Sequence, residues 1–417
     1  MARDTAKAEV AEVERLWKAG AREEAAARAL ALYRAFPTNE FVVDYYIDFC
    51  FFRSRQAENA IAIARDGYQQ LNSASLFYSY CHFLMRTGKD AELLSLLPGY
   101  FNDPVLSGTA YLQYAAATLR QTGDFDLAVG LFHRGAQLPG MDRHKSPAAS
   151  LMPLRTFQMY AGMPDEEGQA GITFLTERPK GVSFVMCASG DEKYFREFFT
   201  MYRDSFFSCD NNPGHVLHFH LLDPSDQLLS EISLPAAENC NRVYFSLERT
   251  SGTNRSYYCA ARFVQLGRIL RHYDCPIAVS DIDCIFESSA DDLILAMHGQ
   301  DFGLTEIKSY PYPWQNFRAG LVALNPSDAA LEYARAIRNF LIRIPVELTN
   351  YWFVDQSALA QCAYLQRDSR RGNFADLNAV SRSLCHQLSG GTGRPALKAT
   401  RARDFLKNRN LAHSESQ

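Results

Sequence analysis

The apolar positions of residues 5–165 recur with the spacing of amphipathic helices, and glycines interrupt them at regular intervals. Gly20, Gly88 and Gly123 each follow one amphipathic stretch and precede another that contains alanine. Their separations are about 34 residues or twice that number, and Ser54 stands where the missing member would fall. A period of about 34 residues is typical of stacked helix-turn-helix units, so we expect this part of the chain to be all-α.

The helical part resembles the tetratricopeptide repeat. Small residues and prolines follow two of the glycines, as the packing site and helix stop of such a repeat require: Ala25, Pro37, Ala128 and Pro139. The resemblance implies a helical repeat domain over residues 1–165, with a generic α-solenoid as the alternative. Concave solenoid surfaces commonly bind peptides or proteins, so a protein or peptide acceptor is expected there.

The pattern changes after residue 165. Residues 166–180 carry prolines, glycines and a charge cluster and are interpreted as a connector. In residues 181–400, apolar strand-like runs alternate with helical patterns, and residues 401–417 form a polar tail. The alternation predicts an α/β domain with a mostly parallel sheet that is covered on both faces. The predicted strands are 182–187, 216–222, 242–246 and 277–279, and the predicted helices are 193–207, one from 225, and 257–272.

Composition excludes some classes of function. The chain has 43 Lys and Arg against 47 Asp and Glu, so it lacks the basic footprint of a general nucleic-acid binder. We find neither a continuous apolar span nor a signal-peptide pattern, and we therefore expect a cytoplasmic protein without a transmembrane segment. The ten cysteines form no C-x-x-C pair, and reduced, buried thiols are the expectation.

Two carboxylates follow the predicted strand 277–279. Asp281 and Asp283 are separated by one residue, so in an extended chain they would point to the same side. Carboxylate oxygens at a strand end suit Mg²⁺ or Mn²⁺, which also bind the oxygens of a diphosphate. Asp124 and Asp126 have the same spacing, but they lie in a predicted repeat turn, where a helix cap or a solvated face is expected.

Residues 181–395 resemble a glycosyltransferase of the GT-A fold, a nucleotide-diphospho-sugar transferase. Several motifs match this family in the expected order along the chain. They are Ala188-Ser189-Gly190-Asp191, Tyr258 with Arg262, Ser280-Asp281-Ile282-Asp283, Phe317-Arg318-Ala319-Gly320 and Asp355-Gln356.

The resemblance implies a metal-dependent transferase that uses Mn²⁺ or Mg²⁺ and a sugar-nucleotide donor, with a UDP-linked sugar expected. It places Asp283 on the metal, and Asp281 on the metal or near the ribose. Asp355 and Gln356 would face the acceptor or the sugar, with Asp355 as a general base if the enzyme inverts and as an orienting or electrostatic group if it retains. The implied donor-binding residues are Ala188, Ser189, Asp191, Tyr258, Arg262, Asp281, Arg318 and Gly320.

Two departures from the family pattern stand out. Arg318 replaces the usual Asn, which implies an altered contact with the donor sugar. The third metal ligand of the glycogenin-like branch of the family is a His in an H-x-x-G-x-x-K stretch, which residues 385–394 only approximate, so His386 is a candidate ligand. Both departures favour the alternative function, a repeat-based interaction adaptor with a catalytically inactive transferase-like domain.

Some of these residues also have structural interpretations. Arg262 either neutralises phosphate with its planar fork or is a structural charge in a long helix. Asp355 precedes a helical stretch, 356–360, and is either its N-cap or a group at the reacting sugar.

Two other groups of residues invite a functional reading. Three histidines in and beside the second predicted strand resemble a metal cluster, but His215 would face away from His218 and His220, which favours a structural role. A Pro-kinked aromatic segment either stacks on a sugar or covers a loop. Its rings belong to Tyr310, Tyr312 and Trp314.

Overall fold

The computed structural model divides the chain into two compact units. The first comprises residues 1–149 and 309–312, and the second comprises residues 150–308 and 313–417. The predicted tail 401–417 and residues 166–170 of the predicted connector lie outside the described residues. No helix in the described part of the chain is both long enough and apolar enough to cross a membrane. The described residues are 2–140, 142–164, 171–233, 242–250, 255–344 and 353–387.

Regular structure in the described part of the first unit is helical. Three of its helices begin at a polar side chain that accepts a backbone N–H: Asn39, Ser73 and Asp124. The cap expected at Asp124 is therefore confirmed, with a distance of 2.9 Å from its Oδ1 to the Leu127 nitrogen. The helices are α1 (Ala2–Lys18), α2 (Arg22–Ala35), α3 (Glu40–Asp48), α4 (Ala57–Leu71), α5 (Ala74–Arg86), α6 (Asp90–Leu96), α7 (Ser107–Thr122), α8 (Phe125–Ala136) and α9 (Asp142–Ser150).

Successive helices of this unit pack in pairs, α1 with α2, α3 with α4, α5 with α6 and α7 with α8. Gly20, Gly88 and Gly123 occupy three of the turns within these pairs, with φ values of 84°, 76° and 71°. Residues with a side chain avoid this left-handed conformation, so glycine ends each first helix at low cost. The fourth turn follows a π-helical extension of α3, Phe49–Arg53, and begins at Ser54. The turns thus fall at the residues that the sequence pattern indicates.

Residues 309–312 belong to the first unit although they are far along the chain. The side chain of Tyr312 is fully buried there. Its ring centroid lies 4.7 Å from that of His144, 6.2 Å from Phe132 and 6.3 Å from Tyr78. Trp314 is also fully buried, so neither ring is exposed for stacking on a sugar, and the structural interpretation fits these two residues.

We predict that Tyr312→Ala lowers the free energy of unfolding of the first unit by about 3 kcal/mol, because it removes a buried aromatic ring and leaves a cavity. Tyr312→Phe keeps the ring and should cost less than about 1.5 kcal/mol. Urea unfolding followed by far-UV circular dichroism measures both. Leu295→Ala is the control, because Leu295 is 72% exposed. Equal midpoints for Tyr312→Ala and the control would contradict the burial of the ring.

The second unit combines one large sheet with surrounding helices. Its strands are β1 (Thr173–Phe174), β2 (Phe184–Asp191), β3 (His215–Leu222), β4 (Val243–Glu248), β5 (Ile277–Ser280), β6 (Cys284–Phe286), β7 (Phe302–Glu306), β8 (Phe317–Leu324), β9 (Phe374–Asp376) and β10 (Cys385–Gln387). Its helices are α10 (Leu154–Gly162), α11 (Glu192–Cys209), α12 (Asp226–Ser233), α13 (Arg255–Val264), α14 (Leu266–Tyr273), α15 (Asp291–Ala296), α16 (Pro313–Asn316), α17 (Asp328–Arg343), α18 (Val354–Ser369) and α19 (Asn378–Leu384).

The strand order of the large sheet is β1-β4-β3-β2-β5-β8-β7-β9. The neighbours from β4 to β5 are parallel, as the alternating pattern predicts. The sheet is mixed, however, because β8 runs antiparallel to both β5 and β7, and β1 runs antiparallel to β4. The two remaining strands, β6 and β10, form a separate antiparallel pair.

Both faces of the central strands are buried. Phe184, Met186 and Ala188 of β2 join a core that includes α11 and α15, whereas Val185 and Cys187 are equally buried on the other face. On that other side, α13 packs against β2 and against α17. The helix α10 also packs on α17, where the Asn339 amide nitrogen donates to the Tyr160 carbonyl oxygen at 2.8 Å.

The helix predicted over 257–272 is two helices, so that prediction is wrong in its continuity. The break falls at Gln265, which is fully buried between α13 and α14. Its side-chain nitrogen donates to Glu248 Oε2 at 2.7 Å. A buried amide needs such a partner, and Glu248 belongs to a distant strand that the helical pattern does not reveal.

The topology brings several strand ends to one edge of the sheet. The parallel strands β2, β3, β4 and β5 all end there. Because β8 is antiparallel to β5, with Ser280 opposite Leu321, the first residues of β8 lie at the same edge. β7 runs antiparallel to β8, so its carboxyl end lies there as well. This carboxyl edge therefore carries the polar residues that follow or end the strands.

Candidate active site at the carboxyl edge of the sheet

Asp281 and Asp283 lie in a turn, so the expectation of an extended chain at this point is wrong. The Cys284 N–H donates to the Asp281 carbonyl oxygen at 3.3 Å, which closes the turn. β5 ends at Ser280, and the chain then enters β6, which pairs with β10 instead of continuing the large sheet. The two carboxylates differ in environment, since the Asp281 side chain is 25% exposed and Asp283 is 7% exposed.

Arg262 joins the elements around this turn. Its Nη2 lies 2.7 Å from Asp281 Oδ1 and 3.9 Å from Asp355 Oδ2. The same nitrogen donates to the Ala319 carbonyl oxygen of β8 at 3.3 Å. The Arg262 side chain is only 9% exposed, and a buried charge of this kind requires opposite charges close by. Arg262 thus connects α13, the acidic turn, β8 and the first turn of α18.

The charges at this site shift the pKa values of its side chains. Burial would lower the pKa of Arg262, but the nearby carboxylates of Asp281 and Asp355 raise it above its ordinary value. Burial raises the pKa of Asp355, although the attraction of Arg262 opposes the shift. The thiol of Cys259 has a pKa of about 11, because it is buried and lies near the Asp355 carboxylate. Neither Asp355 nor Cys259 is an ordinary exposed group.

Asp355 is not the N-cap of α18, as one interpretation of the sequence expects. The N-cap is Phe353, which has a φ of 80° and makes no side-chain capping bond. Asp355 lies one residue inside the helix, and its Oδ1 accepts the N–H of Gln356 at 2.8 Å. Its second oxygen is directed at Arg262, so this side chain serves both the helix start and the buried cation.

The end of β2 presents the first group of predicted donor-binding residues. Ala188 is buried, and Ser189 is 6% exposed with a buried hydroxyl that has no hydrogen-bond partner among the described residues. Asp191 caps α11, where its Oδ1 accepts the N–H of Tyr194 at 2.8 Å. Tyr194 is 37% exposed, and its ring centroid lies 5.6 Å from that of Phe198.

Tyr258 of α13 contacts Asp223, the residue that follows β3. Its hydroxyl donates to Asp223 Oδ2 at 3.0 Å, and Asp223 also accepts the N–H of Thr250 at 2.7 Å. Burial alone would raise the pKa of Asp223, but the hydrogen bonds from Thr250 and Tyr258 leave it below its ordinary value. Tyr258 is therefore fixed in place by a charged strand-end residue that the sequence interpretation missed.

Arg318 and Gly320 lie in the first half of β8, at the carboxyl edge. Arg318 is exposed and stands directly opposite Thr305 of β7. The register of the β7–β8 pair shifts between Leu304, which is opposite Val322, and Thr305, which is opposite Arg318. Residues 319–321 of β8 therefore form a bulge on the side that faces β7. On the opposite face of this strand pair, Arg367 forms an ion pair with Glu306 at 2.7 Å.

The strand β10 brings His386 beside the acidic turn. His386 is opposite Ile285 of β6, which begins one residue after Asp283. Among the described residues, however, no group of three His, Cys, Asp or Glu side chains is placed to hold a metal ion. His386 as a third metal ligand therefore stays a prediction.

The three histidines of β3 have structural partners, which confirms the structural interpretation. His215 Nδ1 lies 2.9 Å from Asp210 Oδ2 on one face of the strand. His218 and His220 on the other face both bond the Ser246 hydroxyl, at 2.8 and 2.9 Å. Burial lowers the pKa of His218 well below its ordinary value, so it is neutral in this network.

Sequence reasoning missed Cys259, Asp223 and the Glu306–Arg367 pair. The signal for Cys259 is its position one helical turn before Arg262, which places both side chains on one face of α13. The signal for Asp223 and Glu306 is that polar residues at strand ends meet at the carboxyl edge.

Comparisons with solved structures return glycosyltransferases. The WbbM bifunctional glycosyltransferase matches with a TM-score of 0.34 and 15% identity, over 49% of this chain and 40% of that chain. The glycosyltransferase GlyE of Streptococcus pneumoniae matches with a TM-score of 0.33 and 18% identity, over 47% of this chain and 45% of that chain. A galactosyltransferase LgtC complex with donor and acceptor sugar analogues matches with a TM-score of 0.30 and 14% identity, over 46% of this chain and 72% of that chain.

The first two matches cover less than half of the length of the matched proteins. TM-scores below 0.5 do not establish a common fold, so no residue role is taken from these structures. No protein-family model matches the sequence, and no curated protein matches it.

We predict that Asp355→Asn does not lower the free energy of unfolding at neutral pH. The pKa of Asp355 is raised above 3.8 in the folded state. Protonation of this carboxyl therefore favours folding, and that contribution is complete below the unfolded pKa and is lost as pH rises through the folded pKa. Asn resembles the protonated form and does not titrate, so the stability of the variant relative to the parent should rise across that window. Urea midpoints between about pH 4 and pH 7 measure the difference, and a relative stability that falls would contradict the burial of the charge.

Proposed function

We propose that the chain is a metal-dependent glycosyltransferase with a GT-A-like α/β domain that transfers a sugar from a nucleotide diphosphate, most suitably UDP. The observation that carries this proposal is the Arg262 cluster at the carboxyl edge. One guanidinium there holds the acidic turn after β5 close to β8 and to Asp355. Ligands of open α/β sheets bind beyond the carboxyl ends of strands, and this is the edge that carries the motifs of the family resemblance.

The chemistry of the donor set fits a divalent cation. Mg²⁺ and Mn²⁺ prefer oxygen ligands, and Mg²⁺ is commonly held by one or two carboxylates together with substrate phosphates. Asp283 would ligate the metal, and Asp281 would ligate it or contact the ribose, with His386 as the candidate third ligand. When bound, the ion would supply electrostatic stabilisation of the negative charge on the departing diphosphate.

The protein residues have separate tasks in this proposal. Ser189 and Asp191 contact the base and ribose, and the buried Ser189 hydroxyl supplies a polar group that no described residue bonds. Arg262 orients Asp281 and adds positive charge near the diphosphate. Gln356 helps to position the acceptor or the sugar.

Asp355 is the proposed acid-base or electrostatic group. Burial raises its pKa, so its carboxylate is a stronger base than an exposed one. If transfer inverts, Asp355 accepts the proton of the acceptor hydroxyl. If transfer retains, its charge supports the sugar as positive charge develops there.

The helical unit is proposed to be a tetratricopeptide-like repeat that engages a protein or peptide acceptor. The support is the packing of helices in pairs, with turns at about the repeat spacing. We also retain the cytoplasm as the proposed location.

Asp283→Asn should weaken UDP binding in Mn²⁺ at least about tenfold and abolish donor hydrolysis, because it removes a charged ligand. Isothermal titration with UDP and a hydrolysis assay with UDP-sugars measure the two effects. Asp126→Asn is the matched control, since it alters the second Asp-x-Asp of the chain at an exposed helix start. Melting curves show whether each variant is folded. Full turnover by Asp283→Asn, or by the parent in excess chelator, would contradict the metal assignment.

A catalytically inactive adaptor is the second candidate, and the pairing of Asp281 with Arg262 favours it, because that carboxylate is already neutralised. The hydrolysis assay separates the two candidates. If the parent hydrolyses a UDP-sugar in Mn²⁺ faster than Asp283→Asn does, the result supports the active glycosyltransferase. Equal, background-level turnover of every UDP-sugar by both proteins supports the adaptor.

A further inference from the structure

Arg318 places a positively charged side chain at the carboxyl edge of the sheet. It is exposed, and it forms no hydrogen bond or ion pair with any described residue. Other arginines of this region are already paired: Arg262 with Asp281, and Arg367 with Glu306. A guanidinium presents a planar fork of donors that matches a carboxylate or a phosphate, so Arg318 is suited to hold an anionic group.

Thr305 provides an independent second feature. It is directly opposite Arg318 across the β7–β8 pair, and directly opposite residues place their side chains on the same face of a sheet. Thr305 is 3% exposed, and its hydroxyl has no hydrogen-bond partner in the described part of the chain. A buried hydroxyl without a partner costs free energy, which an oxygen from a ligand would recover.

The position of Arg318 is fixed relative to the proposed reaction centre. The next residue, Ala319, gives its carbonyl oxygen to Arg262 at 3.3 Å, and the same guanidinium nitrogen contacts Asp281 and Asp355. The backbone at Arg318 is thus one residue from the cluster that carries the proposed function. An anion bound by Arg318 would lie next to the sugar that is transferred or the sugar that receives it.

We propose that Arg318 and Thr305 form an anion subsite that selects a substrate carrying a carboxylate, such as a uronic acid. This inference rests on the proposed glycosyltransferase function. The carboxylate belongs either to the sugar of the nucleotide donor or to the acceptor, and the shared chemistry is a sugar carboxylate held by a guanidinium and a hydroxyl.

The first arm of the test measures donor preference. Isothermal titration in Mn²⁺ compares UDP-glucuronic acid with UDP-glucose for the parent, Arg318→Gln and Thr305→Val. If the donor carries the carboxylate, the parent should bind UDP-glucuronic acid at least about tenfold more tightly than UDP-glucose. The reason is that UDP-glucose cannot form the charge-assisted pair with Arg318. Arg318→Gln should abolish the preference. Thr305→Val should reduce it without loss of melting temperature, because the hydroxyl has no partner to lose.

The second arm measures acceptor preference. Binding of a glucuronic-acid-terminated disaccharide is compared with its glucose-terminated counterpart, with UDP present. Lys180→Gln is the charge-matched control, because Lys180 is exposed and precedes the amino end of β2, at the opposite edge of the sheet. The control should keep the preference that Arg318→Gln loses.

A third arm uses no nucleotide, which separates failure of the subsite from failure of the proposed function. Ligand-observed nuclear magnetic resonance compares methyl glucuronide with methyl glucoside. The subsite is supported, even if no UDP-sugar binds, when the parent binds the glucuronide selectively and Arg318→Gln does not. Equal binding of charged and neutral ligands in all three arms, or a preference that Arg318→Gln retains, would overturn the inference.

Discussion

The candidate site depends on one buried cation. Arg262 lies on α13 and contacts the acidic turn after β5, the backbone of β8 and, at a longer distance, Asp355 at the start of α18. Removing a guanidinium from water costs free energy unless carboxylates and carbonyl oxygens compensate its charge. The elements that carry these oxygens therefore lie close together around Arg262. The free-energy cost of desolvating Arg262 is part of folding and precedes the binding of any substrate. Electrostatic groups fixed in this way need no rearrangement when charge develops on a substrate.

The two carboxylates that face this cation lie in different environments. Asp281 is in direct contact with Arg262 at 2.7 Å and is partly exposed, whereas Asp355 is 3.9 Å away and its pKa is raised by burial. In the proposed function, carboxylates whose environments differ are suited to different tasks, Asp281 to ligand binding and Asp355 to exchange of a proton. Both tasks would depend on the one residue of α13 that these carboxylates face.

The sequence identified the strand before the acidic pair, the end of β2 and the helical first part, because each has a local periodicity or a local turn signal. It did not identify the turn at Asp281, the break at Gln265 or the true start of α18 at Phe353. The buried amide of Gln265 depends on Glu248 of another element, and Asp281 and Asp355 both face Arg262 of α13. Hydrophobic spacing reports which face of an element is buried, but it carries no information about distant polar partners.

The return of residues 309–312 to the first unit has a consequence for biosynthesis. A ribosome releases the helices of residues 2–149 long before it adds Tyr312, whose ring completes the core beside His144 and Phe132. Domains usually fold in order from the N-terminus during translation, but this unit is not continuous in the chain. Until Tyr312 has also left the exit tunnel, after most of the sheet strands, the aromatic core of this unit lacks one of its rings. During that interval the rings of His144 and Phe132 lack this neighbour.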